Sequence, residues 1–260
     1  MTENKDVEQT DLPYALKEKR FLGNKESFRF ECHKGLSCFT KCCSDVNIIL
    51  TPLDILQLSR ELKITTTEFL DKYTLAPITK DLELPVLLLK MNDDDKKCPF
   101  LEEDGCSVYD VRPWSCRMYP IGMAIPPARA GKDPEPVFFL FEDDFCDGIK
   151  QNTEWTVEKW RSNQGVTERE ELESGYRGIV SHPWFIGGRR LDPKRIEMFY
   201  MASYDLDTFR RFIFESTFLK RFKIEENKIE QLRTNDEDLL RFASTWLRYS
   251  LFGEPTMTVR

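Results

Sequence analysis

The spacing of apolar and polar residues predicts short strands in the first half of the chain. Phe28-Arg29-Phe30 alternates as a short strand does. Leu82 to Met91 is rich in residues that favour strands, with Pro85 marking an edge or a bulge. Val137 to Phe141 is short, apolar and β-prone, which predicts a buried strand. Asp104-Gly105 is a turn signal placed before a further strand from Cys106 to Tyr109.

Helix starts interrupt these strands at three places. Thr51-Pro52-Leu53-Asp54 has a threonine suited to the N-cap, a proline at the first helical position and an acid at the third. Thr65, followed three residues later by Glu68, predicts a second capped helix. Pro113 opens a helical turn that carries Trp114 to Met118.

The pattern becomes helical in the second half of the chain. The predicted helices cover Thr153 to Gln164, Thr167 to Ser174 with a capping box from Thr167 to Glu170, Asp207 to Phe222, and a last helix that begins at Asn235. The fold predicted from both halves is α+β: a compact cysteine-rich body of short strands and helices, followed by a helical C-terminal extension. We expect a flexible N-terminal arm over residues 1–20, a metal-binding domain over 21–190 and a helical region over 191–260 packed on it.

Composition restricts the partners. The formal net charge is −7 and the predicted isoelectric point is near 5.2. Because phosphate contacts need clustered Lys and Arg, we do not expect a nucleic-acid partner. The apolar runs are too short to span a bilayer and the first 20 residues lack the apolar segment of a signal peptide, so we expect no membrane insertion and a cytoplasmic location. The partner itself, a protein or a small molecule, is not indicated.

The candidate chemistry lies in eight cysteines, seven of which fall in two stretches, FECHKGLSCFTKCC and CPFLEEDGCSVYDVRPWSCRMYP. In a reducing cytosol such clustering favours metal binding or redox chemistry over structural disulfides or inert core thiols. Ligands delivered in pairs from tight turns cost little chain entropy. We predict a multi-thiolate metal site formed by Cys32, Cys38, Cys42, Cys43, Cys98, Cys106, Cys116 and Cys146.

The adjacent pair Cys42-Cys43 is unusual, because neighbouring side chains in extended backbone point to opposite faces. The pair can therefore supply two metal ions or two sides of one cluster. Thiolates select Zn²⁺, Cu(I) or iron–sulfur. Since eight cysteines exceed what one zinc uses, we favour an iron–sulfur cluster of the [4Fe–4S] type over zinc.

Arg112 and Arg117 flank Cys116. A four-thiolate site carries net negative charge, which these guanidinium groups can offset beside the cofactor, or one of them can hold a substrate anion. The alternative is a structural role in which they pair with Asp110 or with backbone carbonyls.

The two cysteine stretches, together with Leu50-Thr51-Pro52-Leu53-Asp54 and the later FCDG, resemble the YkgJ-like cysteine-cluster family over about residues 28–165. That family is described as a zinc- or iron-chelating domain and includes the flagellin lysine N-methylases. Its usual first spacing is CxxC, whereas five residues separate Cys32 from Cys38. The resemblance implies metal binding firmly and a reaction only weakly.

Three functions follow as hypotheses. The first is an iron–sulfur protein for electron transfer or a redox reaction. The second, which depends on the resemblance, is a lysine methylase-like enzyme with structural zinc, although no nucleotide-binding fingerprint occurs in the sequence. The third is an interaction adaptor in which zinc stabilises the fold. The sequence indicates no catalytic residue and leaves open whether the protein is an enzyme.

Overall fold

The computed structural model describes residues 19–124 and 136–260. Short antiparallel strands occur in the first part of the chain and helices dominate the rest, so the α+β prediction is confirmed. The described strands are β1 Arg20–Leu22, β2 Ser27–Arg29, β3 Ile49–Leu50, β4 Thr74–Leu75, β5 Leu87–Leu89, β6 Leu101–Glu102, β7 Gly105–Cys106, β8 Ile121–Ala124, β9 Val137–Leu140 and β10 Glu154–Thr156. The described α-helices are α1 Pro52–Leu62, α2 Thr66–Tyr73, α3 Trp114–Met118, α4 Val157–Asn163, α5 Val166–Leu172, α6 Ser174–Val180, α7 Pro193–Tyr204, α8 Leu206–Glu215, α9 Phe218–Arg221, α10 Glu226–Thr234 and α11 Asp236–Phe252.

The strands pair only in small antiparallel sheets. The orders are β1-β9-β8, β10-β2, β3-β5-β4 and the hairpin β6-β7. In the hairpin, Leu101 lies opposite Cys106. None of these sheets is large enough to form a layer of the fold. Their strand pairing fixes the backbone of the segments that carry the cysteines.

Local capping signals placed the first two helices correctly. Thr51 caps α1 and Thr65 caps α2, each through a complete capping box with Asp54 or Glu68 as the acid. The predicted turn at Trp114 to Met118 is α3. The predicted strands at Phe28 and at Val137 are β2 and β9.

Three helix predictions were wrong in part. Thr153 to Thr156 is not helical, because Glu154–Thr156 forms β10 and pairs with β2. Thr167 lies inside α5, whose N-cap is Gly165, so no capping box forms there. The single helix predicted from Asp207 to Phe222 ends at Glu215 and resumes as α9.

Two hydrophobic cores are present in the described residues. The large core joins α1, α2 and β5 with side chains of α7, α8 and α11, including Phe199, Phe209 and Trp246. The small core is built around Phe28, Phe30 and Trp160, and the rings of both phenylalanines contact Trp160 edge to face. Side chains on both sides of residue 190 share the large core, so the helical region packs on the body, while the domain boundaries stay a prediction. Residues 1–18, most of the predicted arm, lie outside the description.

No helix among the described residues combines the length and the apolar character needed to cross a membrane.

Candidate metal centre

The first cysteine segment follows β2 and folds back on itself through irregular turns. Thr40 adopts a left-handed backbone with φ 66°, and a 3-10 turn over Lys41–Cys43 then presents the adjacent cysteines. Cys38 is buried, and its sulfur accepts a hydrogen bond of 3.2 Å from the backbone N–H of Asp147. The Cys146 segment is therefore attached directly to the first cysteine stretch.

The β6-β7 hairpin places Cys98 and Cys106 beside that first segment. The N–H of Cys98 donates to the carbonyl oxygen of Cys43 at 2.8 Å. Backbone N–H groups two residues further on, at Phe100 and Val108, bond the sulfurs of Cys98 and Cys106 and oppose the rise in their pKa values that burial causes. Amide N–H groups aimed at sulfur stabilise the thiolate form, which is the form that binds metal.

Helix α3 supplies Cys116. Burial raises the pKa of this thiol far above its ordinary value, and the charges of Cys98, Asp54, Cys106 and Cys42 add to the rise in that order. These charges act on Cys116 because they lie close to it. Cys116 therefore lies near Cys98, Cys106 and Cys42.

Cys32 belongs to a different group of neighbours. Burial raises its pKa to about 11, with further contributions from the thiolates of Cys42, Cys38 and Cys146. The pKa of Cys42 is raised first by its hydrogen bond with Cys43, then by burial. Cys42 is thus the thiol common to both groups.

The thiols form two sets that meet at the adjacent pair. Cys32 is influenced by Cys42, Cys38 and Cys146, whereas Cys116 is influenced by Cys98, Cys106 and Cys42. The Cys43 thiol contacts Cys42, and the Cys43 carbonyl oxygen accepts the Cys98 N–H, so Cys43 lies next to the second group. All eight cysteines are free thiols. Among the described residues, no three side chains of His, Cys, Asp or Glu are placed as a ready metal site. The donor types fit a soft metal ion, since eight free thiols lie in neighbouring segments and backbone N–H groups contact several of the sulfurs.

The two predicted arginines differ in their position. Arg112 stacks on the ring of Tyr109 at 3.9 Å and bonds the side chain of Gln164. Its charge lowers the pKa of both Cys32 and Cys106, so it lies between the two thiol sets. Arg117 instead donates to the carbonyl oxygens of Arg112, Gln164 and Asp110, which is the backbone-carbonyl alternative.

A buried charged group behind α3 was missed by the sequence analysis. Asp54 is fully buried and paired with Arg169 of α5, and Glu173 accepts the N–H of Leu53 at 3.2 Å. Burial raises the pKa of Glu173 to about 7, and the neighbouring Asp54 charge adds to this. The sequence identifies Asp54 only as a capping acid of α1. The sequence feature that could have indicated a further role for Asp54 is its position in Leu50-Thr51-Pro52-Leu53-Asp54, which is part of the resemblance to the cysteine-cluster family.

Residues 31–147 match the model of the family CxxCxxCC, which is described as a "putative zinc- or iron-chelating domain". A search of curated proteins and a search of solved structures each found no match. This match agrees with the resemblance to a cysteine-cluster family over the segment that carries all eight cysteines.

Proposed function

We propose that this protein binds metal through two four-thiolate sets that meet at Cys42 and Cys43. The match of residues 31–147 to a cysteine-cluster domain supports this proposal. The observation that carries the proposal is that the thiols around Cys32 and those around Cys116 have different neighbours and meet at Cys42. We assign Cys43, which contacts Cys42, to the set of Cys116. Four cysteines are the complete ligand set of a structural zinc ion or of one [4Fe–4S] cluster. Two such sets account for every cysteine in the chain.

Iron–sulfur of the [4Fe–4S] type is the occupant that we favour, with electron transfer or a redox reaction as the function. Such a cluster, when bound, takes up and releases one electron. Backbone N–H groups at three sulfurs, those of Cys38, Cys98 and Cys106, support this choice, since hydrogen bonds to sulfur are one means of setting a cluster's potential. Exposed aromatic side chains at Tyr109 and Phe145, each close in sequence to a thiol, give a redox partner a surface to approach.

Arg112 is the arginine that we propose to offset the negative charge of the thiolates, because it acts on a thiol of each set. A guanidinium group in a protein is always protonated, so its positive charge offsets the negative charge of the thiolates. For Arg117 we propose an indirect part: its three bonds to backbone carbonyls fix the chain around Cys116.

Anaerobic purification followed by iron, sulfide and zinc analysis tests the proposal. Two cubane clusters would give about eight iron and eight sulfide per chain, and two structural zinc ions would give about two zinc. A coloured protein with an electron paramagnetic resonance signal after reduction is the expected result. Colourless protein holding only zinc would exclude the redox function but keep the metal sites. Protein that binds no metal even after anaerobic reconstitution would overturn both.

The adaptor hypothesis has less support. It depended on aromatic side chains of the C-terminal helices as a partner surface, and Phe209, Phe242 and Trp246 are instead packed in the large core. The lysine methylase-like alternative stays a prediction from the resemblance.

A further inference from the structure

Asp54 connects three elements behind the thiol sites. One carboxylate oxygen accepts the backbone N–H of Thr51 at 2.9 Å and so completes the cap of α1. The other accepts the backbone N–H of Trp114, the first residue of α3, at 2.9 Å, and also pairs with the guanidinium of Arg169. The Asp54 side chain is fully inaccessible to solvent and that of Arg169 nearly so. Burial raises the pKa of the Asp54 carboxyl, and the Arg169 cation and the N–H donors of Thr51 and Trp114 oppose that rise.

We propose that Asp54, held in place by Arg169, is a positioning residue for the metal ligand Cys116. This role rests on the function proposed above. Asp54 does not bind the metal. It sets where α3 begins, and thereby where the Cys116 sulfur lies relative to Cys98 and Cys106.

Helix α3 needs such an anchor because it is short. It has five residues, and its N-cap residue Pro113 makes no side-chain capping bond. An isolated helix of this length is unstable, since too few hydrogen bonds offset the cost of nucleation. Its first N–H is bonded by Asp54, and the hydroxyl of Ser115 donates to the carbonyl oxygen of Ile49 at 2.9 Å. Cys116 comes directly after Ser115 in the same helix, so a displacement of Trp114 would also displace the Cys116 sulfur.

The same carboxylate also acts on the site through its charge. Burial raises the pKa of Cys116, and the nearby Asp54 carboxylate is one of the charges that add to this rise. The Arg169 cation compensates this buried charge through Nη2, and its Nη1 donates a hydrogen bond to the side-chain oxygen of Gln57. Removing the carboxylate charge should thus change both the geometry and the electrostatics of one ligand, and leave the other thiol set untouched.

The chain offers a matched control in Asp207. Its carboxylate accepts the backbone N–H of Thr66, the first residue of α2, at 2.7 Å, as Asp54 does for α3. Helix α2 carries no cysteine. Asp207 is only half-buried and has no arginine partner among the described residues, so the variants Asp54→Asn and Asp207→Asn share the loss of a carboxylate at the first N–H of a helix and differ in burial and in the cysteine that follows.

Zinc affinity of the full chain, measured by competition with a chromophoric chelator, is the first readout, and the thiolate-to-cobalt absorption of the Co²⁺-loaded protein is the second. Loss of an outer-shell partner lowers metal affinity about 10- to 100-fold. We expect that loss, with a changed cobalt spectrum, in Asp54→Asn only. Arg169→Lys, which keeps a cation at the carboxylate, should lose less affinity than Arg169→Met. Equal effects of Asp54→Asn and Asp207→Asn, or no effect of Asp54→Asn, would overturn the role.

A measurement without metal separates this role from the proposed function. Alkylation of the metal-free chain, followed by peptide mass spectrometry, reports the reactivity of each cysteine. Asp54→Asn should accelerate labelling of Cys116 several-fold while Cys32 and Cys146 react as before. If wild-type protein bound neither zinc nor cobalt, the proposed function would fail, and selective labelling of Cys116 would still support the positioning role. Equal acceleration at all cysteines would show a general loss of fold and would contradict it.

Discussion

Gly148 lies where the segment that carries Cys146 passes close to the segment that carries Cys32. A Cβ atom built at this residue would lie 2.8 Å from the carbonyl oxygen of Glu31 and 2.8 Å from Cε2 of Phe30. The carbonyl oxygen of Gly148 also accepts the N–H of Glu31 at 3.1 Å. Cys146 precedes this contact by two residues and Cys32 follows it by one. The substitution Gly148→Ala therefore inserts a methyl group between the backbone segment that carries Cys146 and the one that carries Cys32.

The cost follows from which atoms can move. The ring of Phe30 belongs to the small core, and the carbonyl of Glu31 is fixed by its backbone, so neither can rotate away freely. Inserting one methyl group into a well-packed site typically costs about 1–3 kcal/mol. We expect the free energy of unfolding of the metal-free protein to fall by that amount, as measured by urea denaturation followed by circular dichroism. Metal held by the set that contains Cys32 and Cys146 should be lost before metal held by the hairpin cysteines.

Gly178 is the control for this substitution. It lies inside α6, and the nearest atom to a Cβ built there, outside its own helix backbone, is Nη1 of Arg248 at 3.6 Å, an ordinary contact. Alanine in a helix is favoured over glycine by about 1 kcal/mol, so Gly178→Ala should leave stability unchanged or raise it. If Gly148→Ala proved as stable as Gly178→Ala and bound the same metal, the close approach would not be what holds the two segments.

Three other outcomes are expected. Cys106→Ser and Cys146→Ser should each lower bound metal by about half, because each belongs to a different four-thiolate set; loss of all metal from either variant in elemental analysis would indicate a single centre. The folded-state pKa of Glu173 is raised to about 7 from its ordinary value of 4.5, so the unfolded chain loses this proton first and stability falls as pH rises between these values. Glu173→Gln should remove that decline from unfolding curves taken across the window, and a wild-type slope in the variant would refute the assignment. Phe209→Ala should cost about 3–5 kcal/mol, since the ring is fully buried against Trp246; a change below 1 kcal/mol in urea denaturation would contradict this.

The elements that the sequence predicted correctly are those with a local cause. The caps at Thr51 and Thr65 use bonds to residues three positions away, so the sequence around them contains the whole interaction. The error at Trp155 has a distant cause. Glu154–Thr156 is drawn into a strand by pairing with β2, and the Trp155 side chain donates to the carbonyl oxygen of Phe30 at 3.0 Å. A helical pattern in the sequence does not show that such a partner exists.

The site shows the same difference between local and distant causes. Compartment and clustering indicated that the cysteines act together, and the family match supports metal chelation. Which thiols share a set depends on contacts between segments, such as the bond from Cys98 to Cys43 and the bond from Asp147 to Cys38. Arg169 and Glu173 lie on what the sequence suggests is an ordinary charged helix face. Only tertiary packing shows that these charges are buried against Asp54.

The position of the thiols between the two hydrophobic cores gives the metal a structural consequence as well. Cys98 and Cys106 pack against the large core, whereas Cys146 is part of the small one. Helix α3 bridges them, with Met118 in the small core and Cys116 near Cys98 and Cys106. Because thiolate binding energy becomes folding energy wherever the ligands come from separate segments, metal at this junction would stabilise the contact between the cores more than either core itself. The buried pair of Asp54 and Arg169 links α1 to α5 and, through the Trp114 N–H, to α3, so a change there should lower the stability of the fold as well as metal affinity at Cys116.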